Sequence, residues 1–153
     1  MKFFAAVAAL ALAAVANAQS PFFTSCSPAG VTPEMSVISL SLNPYPLCIG
    51  QIVTATATGV LSAPVTDGSK LAIIGRYLGR VVYTDNQDLC GLASTSGLSC
   101  PIATSVSSIT VQVLVKNTAP ANVPVALQIS ATNGNGNLLF CQQATVTAVN
   151  CPI

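Results

Sequence analysis

Between Met35 and Val149 several segments place apolar residues at every second position, and that period restricts them to β-structure. Ser107–Lys116 sets Ile109, Val111, Val113 and Val115 against Thr110 and Gln112. Gln51–Leu61 sets Val53, Ala55, Ala57 and Gly59 against Thr54, Thr56 and Thr58. Val123–Thr132 sets Val125, Leu127 and Ile129 against Ala126, Gln128 and Ser130. Met35–Leu42 groups Ile38 with Leu40 and Leu42, opposite Val37, Ser39 and Ser41, and Leu138–Val149 is a further β-branched stretch. Successive strand side chains point to opposite faces, so these segments are half-buried strands with one wet face. Two more apolar runs, Lys70–Tyr77 and Arg80–Thr84, flank Leu78-Gly79 as a bent pair. Turns fall at Asn43-Pro44-Tyr45-Pro46, Asp67-Gly68 and Asn133-Gly134-Asn135-Gly136, where Asn and Gly accept positive φ. No segment carries a helical stripe. About seven short strands predict an all-β, two-sheet antiparallel sandwich.

The ends add a compartment. Lys2 precedes an apolar block, Phe3–Val15, closed by Ala16-Asn17-Ala18. That is the layout of a signal peptide with its cleavage site, and it is too short to span a bilayer. Removing the first 18 of 153 residues leaves 135, with Gln19 at the new start and residues 19–25 as a loose leader before a single domain, 26–153. Four cations (Lys70, Arg76, Arg80, Lys116) then balance four acids (Glu34, Asp67, Asp85, Asp88). Nucleic-acid binding and polybasic membrane attachment both need a cationic surplus that is absent here. Cys26, Cys48, Cys90, Cys100, Cys141 and Cys151 form an even set behind a signal, which reads as three disulfides formed in an oxidising compartment. A zinc site is disfavoured because there is no CxxC pair and no histidine.

Histidine's absence also removes the commonest general base, and with it Ser-His-Asp and Cys-His catalysis. Asp85 and Asp88 invite a calcium or glycosidase reading, but a polar turn at a strand end explains them more simply. Arg76 and Arg80 could meet an anionic head group, or they could be ordinary exposed arginines. No catalytic residue, metal or cofactor is assigned, and the chain is read as a binding protein, not an enzyme. A sandwich with aliphatic inner faces either closes on a solid core or splays to hold an apolar ligand.

The order of short motifs decides between these. Leu42-Asn43-Pro44-Tyr45-Pro46-Leu47-Cys48-Ile49-Gly50-Gln51, then Asp88-Leu89-Cys90, Leu98-Ser99-Cys100-Pro101 and Leu139-Phe140-Cys141, resemble the corresponding segments of the ML lipid-recognition domain family. The resemblance covers about residues 26–149. It is nearest to the fungal phosphatidylglycerol/phosphatidylinositol transfer proteins and their relative, the Niemann–Pick type C lumenal sterol carrier. It implies an immunoglobulin-like sandwich with a lipid cavity between the sheets, and carriage of a phospholipid or sterol without bond chemistry. It also implies the disulfides Cys26–Cys141 and Cys90–Cys100. Sterol-carrier relatives pair a cysteine at the position of Cys48 with one a few residues earlier. This chain has no such cysteine, which leaves Cys48 to Cys151.

On that reading the cavity walls are Val53, Ala55, Ile73, Tyr77, Val111, Val113, Val125, Leu127, Ile129 and Phe140. Ala55, Ala57 and Gly75 leave room for the ligand, and Arg80, near Tyr77, meets the head group. The expected partner is lipid, with transient membrane contact by a monomer that is secreted or resides in a vacuolar or lysosome-like lumen. The rival reading is a secreted interaction module with a closed core, serving adhesion or host recognition. A slot on the order of several hundred Å³ would favour the carrier, and a solid interior the module.

Overall fold

The computed structural model describes residues 21–152; the expected signal segment lies outside them. Among the described residues there are seven long strands: β2 Met35–Asn43, β4 Ile52–Leu61, β5 Lys70–Tyr77, β6 Arg80–Asp88, β7 Ser108–Leu114, β8 Val125–Thr132 and β9 Leu138–Val146. Three two-residue strands accompany them: β1 Thr24–Ser25, β3 Leu47–Cys48 and β10 Ala148–Val149. One sheet has the order β1-β9-β8-β5-β6, and a smaller one β2-β4-β7. All their pairings are antiparallel, whereas β10 lies parallel to β3. The two inner faces pack together as an aliphatic sandwich.

Four local features depart from the sequence reading. The leader is not loose to its end, because Thr24 and Ser25 pair with Gln143 and Gln142 of β9. A short helix, α1 Leu89–Thr95, follows β6. It buries only Leu89, Cys90 and Ala93, too few positions to make a stripe. Ile38 does not share a face with Leu40 and Leu42. The β2–β4 register slips between Val37 and Ser39, so Ile38 is the extra residue of a bulge and stands 76% exposed. The bulge brings the Ser36 carbonyl so close to Gly59 that no Cβ could fit there. Finally, β6 runs on past Thr84, which places Asp85 inside a strand and buries it, not in a turn.

The sandwich has a solid base and a looser top. The base holds the β2 N-terminus, the β6–α1 junction and the β8–β9 turn. Met35, Val65, Ile102 and Leu139 are at most 2% exposed there. Asn133, itself buried, organises the polar part. Its Oδ1 accepts from Thr66 N–H (2.9 Å) and Ser69 Oγ (3.1 Å), and its Nδ2 donates to the Pro64 carbonyl (2.9 Å) and the Glu34 carboxylate. Asn135 and Asn137 also donate to Glu34. These hydrogen bonds, that from Asn133 foremost, hold the Glu34 carboxyl below its ordinary value.

Candidate functional site

An apolar cavity of about 100 Å³ lies between the sheets, running from the top of the sandwich down to Leu71 and Leu89 at the edge of the base. The smaller sheet contributes Val53, Ala55, Val111 and Val113; the larger contributes Ile73, Val125, Leu127, Ile129 and Phe140. Strand parity puts them there: odd-numbered residues of β4, β5, β7 and β8 point inward. Ala55 and Ile73 show that the space is reachable. Each sits in a central strand and faces inward, yet each is only half-buried. Partly exposed Leu114, Ala119 and Pro120 also line the cavity, marking its mouth at the end of β7 and the loop after it.

Tyr77 is not among the lining residues. Its parity is right, but the last β5–β8 pair is Arg76 with Ala126, so Tyr77 overshoots the cavity at the strand end. Tyr83 of β6 is the tyrosine on the wall. Burial pushes its phenol above the ordinary 10.0, although the backbone N–H of Lys116 donates to it. Gly75 leaves no room for a ligand, since a Cβ there would lie 2.8 Å from Cγ1 of Val125. Arg80 is exposed beside the β5–β6 turn, next to Leu78, which is 84% exposed at φ 51°. Sequence reasoning missed the walls Leu42, Leu47, Leu71, Val115 and Val146, although the period of two extends to several of them.

Disulfides frame the site. Cys48–Cys151 ties the β3–β10 clip to the C-terminal tail at the cavity end of the sandwich. Cys26–Cys141 fastens the N-terminal strand to β9, and Cys90–Cys100 closes the α1 loop. Tyr45, from the proline-rich turn, adds its hydroxyl to the clip by accepting from Thr147 N–H at 3.2 Å. The three disulfides fit a secreted or lumenal protein.

A sequence model of the ML domain matches residues 20–148. The chain belongs to the ML-domain family. Over 147 residues it is 24% identical to phosphatidylglycerol/phosphatidylinositol transfer protein 2 of Dictyostelium discoideum, covering 96% of this chain and 99% of that one. It is 28% identical over 113 residues to the phosphatidylglycerol/phosphatidylinositol transfer protein of Yarrowia lipolytica, covering 74% of this chain and 59% of that one. In three dimensions it is similar to a Niemann-Pick type C2 protein from Japanese carpenter ant, with a TM-score of 0.63 at 14% identity over 83% of this chain and 98% of that one. Chicken MD-1, solved with lipid IVa, superposes with a TM-score of 0.51 at 14% identity over 83% of this chain and 88% of that one. At such identities the structural likenesses show the ML sandwich fold alone.

Proposed function

We propose that this ML-domain protein binds and transfers lipid, holding the acyl or sterol body between its two sheets. The observation that carries the reading is the apolar cavity between the sheets, set above a solid base and open at one end. A relative matched along nearly its full length and named as a phosphatidylglycerol/phosphatidylinositol transfer protein favours a phospholipid. The driving force is transfer of apolar surface into a dry slot, about 0.8 kcal/mol for each CH₂ buried. The empty space is smaller than the ~300 Å³ lower end of ligand pockets, so loading requires the upper sheets to part. The base and the disulfides hold the frame while they do.

The protein works without bond chemistry, as a monomer, in the secretory lumen or outside the cell. Leu78, beside Arg76 and Arg80 at the β5–β6 tip, is its transient membrane contact. The tip and the mouth share one end of the sandwich, since Tyr83 follows Arg80 by three residues. Transfer of a fluorescent phospholipid between donor and acceptor vesicles tests the reading. Acceleration by catalytic amounts of protein is expected. No acceleration with any phospholipid or sterol would favour the closed-core module.

A further inference from the structure

The larger sheet ends at β6, and the inner face of that edge is polar. Residues directly opposite in an antiparallel pair share a face. Tyr83, Asp85 and Gln87 stand opposite Gly75, Ile73 and Leu71, so all three face the interior. Only 4% of the Asp85 side chain is exposed. Gln87 Nε2 donates to both of its carboxylate oxygens, at 3.2 and 3.1 Å. Lys116 Nζ lies 3.1 Å from Asp85 Oδ1 and donates to the Thr84 carbonyl at 3.0 Å.

Lys116 comes from the other sheet, two residues beyond β7. The ion pair therefore bridges the sheets at the rim of the cavity. Tyr83 lines the cavity on one side of it, and Leu114 and Val115 on the other. The two ends of the pair differ: the Lys116 side chain is 44% exposed, while the carboxylate is shut in. Among the described residues the other cations lie elsewhere. Lys70 starts β5 at the base, Arg76 points to the outer face of that strand, and Arg80 is exposed at the tip.

We infer that Lys116 is the contact for the anionic phosphate of the carried lipid, and that Asp85 holds it while the cavity is empty. The inference rests on the lipid-carrier reading above. An ammonium has three donors, and two are engaged here, so a phosphate oxygen can approach the third from the exposed side and then displace Asp85 to seat fully. When Lys116 leaves, Gln87 continues to donate to both Asp85 oxygens, which offsets part of the loss of the ammonium. Parting of the sheets and capture of the head group are then one event, since both need the bridge to open. An incoming phosphate competes with Asp85 for the same ammonium, so neutralising Asp85 favours anionic lipid.

The test is the ratio of affinities for fluorescent phosphatidylglycerol and fluorescent sterol, each presented in phosphatidylcholine vesicles. In Asp85→Asn the ratio should rise. In Asp85→Asn/Lys116→Met, which removes both charges and keeps an unbranched side chain, it should fall on the order of tenfold below wild type. Asp85→Asn/Lys116→Arg should restore the anionic preference. A structural latch would move both lipids together, so an unchanged ratio in every variant overturns the inference and leaves the carrier reading standing. Saturable binding of inorganic phosphate alone, lost with Lys116, would mark a free-phosphate site and also overturn it. Failure of wild type to bind either lipid would overturn the carrier reading itself.

Discussion

One substitution, Ala→Leu, should have opposite signs in the two halves of this interior. Ala55 faces the cavity, whereas Ala131 is 0% exposed in the packed base. An unfilled cavity of about 100 Å³ costs about 2.4 kcal/mol at ~24 cal/mol per Å³. The three carbons that Leu adds at position 55 would gain about 2.4 kcal/mol by the independent estimate of ~0.8 kcal/mol per CH₂. Imperfect fit reduces this, so Ala55→Leu should stabilise the empty protein by about 1–2 kcal/mol. Ala131→Leu has no space to enter and should destabilise by about 1–3 kcal/mol. Urea unfolding of delipidated protein reads both, with the midpoint shifting at constant slope. Ala55→Leu should also cut lipid uptake, because the added side chain occupies the ligand's place. Destabilisation by Ala55→Leu similar to that by Ala131→Leu, with uptake intact, would refute the division into hollow top and solid base.

Further outcomes follow from the frame. Replacing Cys48 and Cys151 together by Ser removes a link between residues 103 apart. It should cost about 2–4 kcal/mol in denaturant unfolding. Asn133→Ala removes the acceptor of the Thr66 N–H and the donor to the Pro64 carbonyl and Glu34, and should cost about 2–4 kcal/mol, whereas an exposed Asn135→Ala should cost far less. Glu34 has a depressed carboxyl pKa in the fold. Its contribution is therefore present above its unfolded value of 4.5 and is lost as pH falls through the lower folded value. Unfolding midpoints followed from neutral pH into acid should decline there, and Glu34→Gln should flatten that limb.

Much of the fold was legible because a period of two is a strong signal when one face is buried. β4, β7 and β8 carry it throughout and β2 up to its bulge, while β5, β6 and β9 show instead as apolar or β-branched runs, and the turn residues bracket them. What escaped was whatever depends on partners distant in sequence. The Ile38 bulge is set by Gly59, across the β2–β4 pair, and alternation within β2 cannot reveal it. Tyr77 has the parity of a cavity wall, but its place depends on where β8 begins. Asp85 looked like a turn residue because its cation, Lys116, lies 31 positions away on the other sheet. Helix α1 is too short to show a period. Lys116 itself follows a strongly patterned strand, and nothing in its own neighbourhood marks it.

Lipid carriage by this protein requires that the space between the sheets accept a lipid. Native mass spectrometry after incubation with phosphatidylglycerol vesicles measures this directly. It should show the oxidised, three-disulfide chain carrying one added lipid mass, and that peak should be lost in Ala55→Leu. A spectrum holding only the bare chain, with phosphatidylglycerol and with sterol alike, would contradict the account.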